Sequence, residues 1–461
     1  MPTTSPTRTL IKDCYNKIGK EVLLKGWVRV VRSHGKLVFF DLRDRSGTVQ
    51  IVVNPKVSEK AYKESLELHP EFAIELVGLV KERPKAATAK ESSTGGVEIE
   101  AKEIRILSKA ETLPFDMGGP NLKLELPTLL DYRSLTLRHP KVAAIFKIQE
   151  TIAYSFRSAL KEQGFTEIFV PSIVPTATEG GAEVFSVNYY GRNAYLAQSP
   201  QLYKQIMVGV FEKVFTVAHA YRAEPSITTR HLSEYVSLDA EFGFINSWED
   251  LMDAAEKLIA SILKNVWEEN KKELSTLGIN EIPQIKKSIP RIKLADAQEL
   301  IFKRTSIDNR NAPDLNPSDE KELCAWAKEE TGAPFVFVTH FPTKKRPFYT
   351  MPDPNNSEST LSFDLLGISE EWITGGQRIN DYEQLLTHIK KWGNKKENFE
   401  IYLQAFKYGM PPEGGFALGL ERVTKDILGL ANVREASLFP RDMERIDERL
   451  SVTDKKDKKT S

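Results

Sequence analysis

Arg222 and Glu224 stand two residues apart in YRAE, and a short loop later TTRH supplies Arg230 and His231. A strand-like run over 234–245 follows. Its period-two alternation puts Ser237, Asp239 and Glu241 on one face and Leu238, Ala240, Phe242 and Phe244 on the other. Such charges can simply pair across strands on a solvated sheet face. With Arg230 and His231 beside them, they can equally clamp a polyphosphate while carboxylates hold an amine or a purine amino group.

Four further segments carry reactive types. Residues 364–378, DLLGISEEWITGGQR, gather Asp364, Glu370, Glu371, Thr374, Gln377 and Arg378 around a Gly-Gly turn. Hard oxygen ligands beside a phosphate clamp suit Mg²⁺, which shares substrate phosphates; an acidic loop closed by a turn is the plainer alternative. GGFALGLER at 414–422 puts glycines on a strand, where a planar ligand can approach the backbone, and ends in Arg422, which can meet a phosphate. In AQSPQLYKQ (197–205), Ser199 and Pro200 read as a helix cap, which leaves the concentration of Gln198, Gln201 and Lys204 unexplained. ATEGGAE (177–183) is acidic and glycine-hinged, a lid or merely a turn. No GxxxxGK[ST], GxGxxG after a first strand, HExxH or GxSxG occurs.

Periodicity indicates the elements that must hold these groups. VLLKGWVRVV, LVFFDLRD, GTVQIVV, FAIELVGLV and VEIEAKEIRIL read as five strands of a small OB-type barrel within residues 1–107, with a hairpin turn at 46–48 and a loop over 84–96. Residues 108–140, with Pro114, Pro120, Pro127 and Pro140, read as a linker or hinge. A second domain is expected over 141–450. It opens with an amphipathic helix over 141–163, ended by Gly164, and a strand over 166–170. An antiparallel pair over 213–224 and 234–245 and a helix over 248–267 follow, then a polar, irregular stretch over 268–330 that reads as an insertion or a helical flap. Strands at PFVFVTHF and SFDLLGISEEWITGG, a helix at LLTHIKKW and the terminal GGFALGLERVTKDILGL complete it. Little βαβ alternation favours an α+β fold, an antiparallel sheet flanked by helices. Residues 451–461 read as a charged, solvated tail.

Composition fits this layout: 461 residues, 41% hydrophobic, allow two to four globular domains. Cys14 and Cys324 lie far apart without a CxxC, which excludes a disulfide framework or a Cys-rich zinc site. The N-terminus lacks a signal-like apolar run, and no window approaches the ~18 apolar residues of a membrane span. A cytoplasmic protein without a membrane partner is expected. The balanced 64 basic and 64 acidic residues conceal an asymmetry, since residues 1–50 hold ten Lys/Arg against four Asp/Glu. That end can face phosphates.

Taken in order, GFTEIFVPSI with Pro171, YRAE with TTRH and LDAEF, and GLERV (419–423) resemble the three motifs of class II aminoacyl-tRNA synthetases over nearly the whole chain. A preceding OB-fold is the layout of the aspartyl, asparaginyl and lysyl subgroup. TATEGG, QSPQLYKQ, GGQR and SLFPRD resemble its aspartyl members in their archaeal and eukaryotic form. The resemblance implies activation of L-aspartate by ATP with Mg²⁺, then transfer to tRNA(Asp), with tRNA(Asn) left open as a second acceptor. No covalent enzyme intermediate is needed, so positioning and charge stabilisation would carry catalysis.

By the same resemblance, Arg222, Glu371 and Arg422 are the catalytic set. Arg222 would hold the α-phosphate and the reacting carboxylate, Glu224 the adenine amino group, and Arg230 and His231 the outer phosphates. Ala223, Leu232, Tyr235, Gly419, Leu420 and Glu421 would complete the ATP pocket, with Tyr235 stacked on adenine and Arg422 on the far phosphate. Glu371 and Thr374, with Asp364 nearby, would bind the metal. Lys204 and Arg378 would grip the aspartate side chain, and Asp239, Gln201, Ser199 and Glu179 its ammonium end. Phe39 and Gln50 match anticodon-contacting positions, although Phe39 also reads as barrel core. Ala417, Thr374 and Glu413 depart from the family pattern, Glu413 standing where histidine is common.

The 141–163 helix carries Ile145, Phe146, Ile148, Ile152 and Phe156 over more than one face, as a two-fold homodimer interface would; packing under the 268–330 insertion is the alternative. An asparagine ligase ranks below the aspartate enzyme, because two cations around a neutral amide would leave a buried charge unpaired. A non-catalytic OB-fold nucleic-acid-binding paralogue is disfavoured by the intact reactive set.

Overall fold

The computed structural model describes residues 7–83, 96–176, 183–225 and 228–446. Nearly all of the expected 84–96 loop, all but the last residue of the 177–183 segment, Glu179 within it, and the 451–461 tail lie outside those residues. The chain divides into two compact units, Met1–Leu124 and Glu125–Ser461.

The first unit is a closed barrel of the strands Glu21–His34, Leu37–Asp44, Gly47–Val53, Val97–Ser108 and Ala73–Glu82, in that spatial order. Closure leaves no open edge. Alternation sends Val38, Phe40 and Leu42 of one strand, and Val49, Ile51 and Val53 of the next, into one core. Each such side chain contributes about 1.5–3 kcal/mol on burial. A helix at Glu59–Ser65, not foreseen from periodicity, is capped by Ser58 Oγ, which accepts from the Ala61 N–H at 3.1 Å. It buries Ala61 in the barrel core.

An eight-stranded sheet forms the second unit, in the order Arg291–Lys293, Phe335–Thr339, Ser362–Gly367, Glu370–Gln377, Glu413–Gly419, Glu234–Gly243, Lys213–Tyr221 and Thr166–Glu167. The six central strands are antiparallel and the two edge strands pair in parallel. Leu238, Ala240, Phe363, Leu365, Ile373, Phe416 and Leu418 share one core with the helices Pro140–Glu162 and Glu249–Glu269. Gly164 ends the first of these helices in the left-handed region, φ +82°.

Several expectations change. Residues 126–131 and 133–136 are helical and belong to the second unit, so the 108–140 linker ends earlier. Its prolines were a poor guide because Pro127 sits at a helix start, where a missing N–H costs nothing. Of the two readings of 268–330, the helical one holds. These residues form helices Lys271–Leu277, Leu294–Thr305 and Pro317–Thr331 and a strand that joins the sheet edge. The 166–170 strand shortens to Thr166–Glu167, and the 213–224 strand ends at Tyr221, so Arg222 and Glu224 lie just past it. The next strand ends at Gly243, and Phe244 turns outward with φ +56° and 67% exposure. SFDLLGISEEWITGG is a hairpin of two strands.

Ile145, Ile148, Ile152 and Phe156 are all buried within the chain's own core, where the first helix meets Glu249–Glu269 and Lys271–Leu277. The breadth of its apolar face is therefore consumed partly by the 268–330 segment. Among the described residues, no helix is long and apolar enough to cross a membrane.

Candidate active site

The sheet face opposite the helical core carries the chemistry. Asp239 pairs with Ala417, Ala417 with Thr374 and Thr374 with Asp364, so four adjacent strands lay these residues in one row. The neighbouring row runs Glu241, Gly415, Gly376 and Ser362. A Cβ on Gly415 would run into the Ala240 carbonyl and the Glu241 carboxylate. That glycine makes room for a buried side chain, not for the planar ligand expected of it. Glu371 and Thr374, three residues apart, line one cavity because Leu365 pairs with Ile373 and Leu366 with Glu371, leaving Trp372 as an extra, bulged residue.

Two chambers open on this face. The smaller, about 180 Å³, is lined by Ser199, Gln201, Lys204, Ser237, Tyr349 and Arg378 among others. The larger, about 380 Å³, is lined by Glu224, Arg230, His231, Leu232, Glu371, Gly419, Glu421 and Arg422 among others. Arg222, Tyr235, Thr374 and Ala417 line both, so the chambers adjoin.

Beneath the smaller chamber lies a buried charge cluster. Lys204 Nζ is 2.8 Å from Asp239 Oδ1 and 3.0 Å from Glu241 Oε2, with all three side chains fully buried. Arg378 Nε donates to Glu241 Oε1 at 2.7 Å, and its Nη2 to the Gly415 carbonyl at 3.1 Å. Burial works against the Lys204 charge, yet Asp239 and Glu241 hold its pKa above the usual lysine value. Burial likewise opposes the Glu241 charge, and Arg378 and Lys204 more than offset it. Asp239 thus neutralises Lys204 and does not line the chamber, contrary to the ammonium contact expected of it. Glu241, absent from the expected binding set, links both cations.

This balance also overturns the argument against asparagine. Lys204 and Arg378 already have carboxylate partners, so a neutral side chain would leave neither unpaired. Ser199 Oγ accepts from the Gln201 N–H at 3.2 Å and opens the helix Gln201–Phe211, which delivers Gln201, Lys204 and Gln205 to the cluster.

At the larger chamber, Arg222 lies 3.5 Å from Glu224 and its guanidinium sits 5.5 Å from the Tyr235 ring centroid. His231 Nε2 is 3.6 Å from Glu224 Oε2. Arg230 differs from expectation: Nη1 donates to Glu320 Oε2 at 2.6 Å and Nε lies 3.2 Å from Glu370 Oε2. Burial raises the Glu320 carboxyl to about 7, with Arg230 pulling the other way. Arg422 Nη1 is 3.3 Å from Glu371 Oε1. Glu421 is spent on the fold, its two oxygens accepting the Val236 N–H at 3.1 and 3.2 Å, and Leu420 packs into the core. Ala223 donates its N–H to the Glu183 carbonyl at 3.1 Å and does not line the cavity.

The expected metal residues hold a second, unforeseen cation. Arg346 donates to Asp364 Oδ2 at 2.7 Å and to Thr374 Oγ1 at 3.0 Å, with its guanidinium 4.0 Å from the Phe341 ring centroid. The basic run PTKKRPF was its only trace in the sequence. Asp364 Oδ1 is buried without a hydrogen-bond partner. Burial raises the Asp364 pKa, Arg346 opposes this and the nearby Glu371 adds to it. Hard oxygens in mutual repulsion, one of them orphaned, fit a divalent cation. Among the described residues no group of three or more His, Cys, Asp or Glu could hold a metal alone, so such an ion would also need substrate oxygens.

On the barrel, Val38 and Phe40 point inward and Phe39 is half-buried on the outer face, which removes the barrel-core alternative. Gln50 Nε2 donates to Glu98 at 3.2 Å, and Gln50 Oε1 accepts from Arg83 at 2.8 Å.

Residues 125–443 match the class II tRNA synthetases (D, K and N), and residues 22–107 match the OB-fold nucleic acid binding domain. An aspartate–tRNA(Asp/Asn) ligase of Deinococcus radiodurans is 43% identical over 450 residues, 96% of this chain and 99% of its own. Among solved structures, asparaginyl-tRNA synthetase from Pyrococcus horikoshii complexed with asparaginyl-adenylate aligns with TM-score 0.85 and 31% identity, covering 94% of this chain and 97% of that one. Aspartyl-tRNA synthetase from Entamoeba histolytica aligns with TM-score 0.84 and 29% identity, covering 96% and 93%.

Proposed function

Since the chain belongs to the class II tRNA synthetases of the D, K and N group, we propose that it is a cytoplasmic aspartate–tRNA ligase. It joins L-aspartate to ATP as aspartyl adenylate and pyrophosphate, then passes aspartate to the 3′ end of tRNA(Asp). Naming of the Deinococcus relative for both Asp and Asn acceptors supports tRNA(Asn) as a second substrate. The observation that carries this reading is the shared wall. Arg222 lines both the chamber floored by Lys204 and Arg378 and the chamber that holds Arg230, His231 and Arg422.

An amino acid in the small chamber, its side chain toward Lys204 and Arg378 and its ammonium toward Ser199 and Gln201, presents its α-carboxylate at Arg222. ATP fills the large chamber, its adenine between Tyr235 and Arg422 with its amino group toward Glu224. A carboxylate oxygen attacks the α-phosphorus, the bond to the bridging oxygen breaks and pyrophosphate leaves. Negative charge grows on the α-phosphate oxygens, where Arg222 supplies pre-placed donors. For Arg230 to reach the outer phosphates it exchanges Glu320 and Glu370 for them. Held by Glu371, Thr374 and Asp364, Mg²⁺ would neutralise phosphate charge. In the second step the tRNA terminal hydroxyl attacks the aspartyl carbonyl and AMP leaves.

Aspartate-dependent ATP–pyrophosphate exchange tests the reading; no exchange with any amino acid would favour a binding protein. Charging assays on tRNA(Asp) and tRNA(Asn) then decide the acceptor range.

Phe39 is the base-stacking residue of the barrel in this reading. Phe39→Ala therefore weakens tRNA charging by about 1–3 kcal/mol while exchange is unchanged. An equal loss in both assays would refute the role.

A homodimer completes the reading. Phe169 and Ile173, on either side of Pro171, are 86% and 44% exposed, although Ile145, Ile148, Ile152 and Phe156 of the preceding helix are buried. Sedimentation at micromolar concentration should give about twice the 52.2 kDa chain mass. A fully active monomer would contradict it.

A further inference from the structure

Three carboxylates and two cations are buried together at and beneath the floor of the small chamber: Asp239, Glu241 and Glu413 against Lys204 and Arg378, with Glu413 fully buried. Asp239 and Glu241 account for both cations by direct contact. Glu413 contacts neither within salt-bridge distance; its Oε1 accepts from Gln205 Nε2 at 2.7 Å. The orientation of that amide follows from its other end. Gln205 Oε1 accepts from Gln201 Nε2 at 3.0 Å and from the Tyr402 hydroxyl at 3.2 Å, so its N–H faces Glu413. Glu413 Oε2 is buried without a partner at hydrogen-bond distance, and the Glu241 carboxylate interacts with it. That oxygen is where a proton belongs. A third ionised carboxylate here would stand beside Glu241 with no cation left to offset it, a costly arrangement in a buried site.

We infer that Glu413 is a positioning residue for aspartate binding: it stays uncharged beneath the amino-acid chamber, so two carboxylates balance two cations and an incoming side-chain carboxylate meets no excess negative charge. Burial and the Glu241 charge both act in this direction, pushing the Glu413 pKa well above the ordinary glutamate value, while Gln205 and Arg378 oppose them. The Tyr402 hydroxyl, which also feels Glu413, adds no negative charge, since burial and Glu413 itself raise its pKa further. A glutamine can take the place of the neutral acid, offering an amide N–H toward Glu241 and a carbonyl to Gln205.

The inference rests on aspartate as the substrate, and the measurements separate the two. Aspartate and ATP KM values are taken from pyrophosphate exchange for the parent chain, Glu413→Ala and Glu413→Gln. Glu413→Ala should raise the aspartate KM about tenfold or more with the ATP KM little changed, and Glu413→Gln should restore it to within about threefold of the parent. A parent-minus-Gln infrared difference spectrum at neutral pH should show a protonated carboxyl stretch. Glutamine behaving like alanine, equal changes in both KM values, or carboxylate bands alone would overturn the inference. If the alanine variant does not fold, the glutamine KM and the spectrum decide. Exchange that never depends on aspartate would remove the functional reading itself.

Discussion

Arg378→Leu should raise the aspartate concentration needed for exchange roughly 30- to 4,000-fold, the equivalent of about 2–5 kcal/mol for removing one partner of a buried charge pair. The ATP requirement should move far less, because Arg378 lines only the smaller chamber. The loss is compound. Leucine removes the group that would meet the aspartate side chain, and it leaves Glu241 with Lys204 as its one remaining cation in direct contact. Melting measurements should therefore show the variant destabilised as well, by about 3–5 kcal/mol before relaxation. Arg378→Lys keeps the charge but cannot serve Glu241 and the Gly415 carbonyl in the same fork geometry, so it should recover only part of the loss. Equal rises in both substrate requirements would contradict the role.

Arg222→Ala is expected to slow exchange about 10²- to 10³-fold, the usual consequence of removing one pre-placed donor at a developing oxyanion. In contrast to Arg378, the Arg222 side chain is 41% exposed and only 3.5 Å from a partly exposed Glu224, so thermal stability should change little. Aspartate binding measured without ATP should also be only mildly weakened, since the side-chain contacts at Lys204 and Arg378 persist. A rate loss below tenfold would remove Arg222 from the reacting centre.

Much of the machinery was legible beforehand because it is local. Alternation along 234–243 put Ser237, Asp239 and Glu241 opposite Leu238, Ala240 and Phe242, and the sheet keeps that division. The five barrel strands, the 140–162 helix and the helix start at Gln201 followed from equally short-range signals. Proline density marked 108–140 as linker although Pro127 opens a helix, and polar composition left 268–330 open between an irregular insertion and the packed helices it forms.

What the sequence alone determined, then, was which residue types share a strand face or a helix start, because backbone geometry repeats every two residues in a strand and every 3.6 in a helix. Tertiary structure alone decided which of those charges meet. Lys204, Glu241, Arg378 and Glu413 come from four separate segments, and Arg230 finds Glu320 in the helix Pro317–Thr331, 90 residues on. A single bulge at Trp372 brings Glu371 to the cavity beside Thr374, while Arg346 reaches Asp364 from a loop with no motif. Pairing and protonation depend on distance and on exclusion of water, and neither quantity exists along the chain until the sheet brings these strands together.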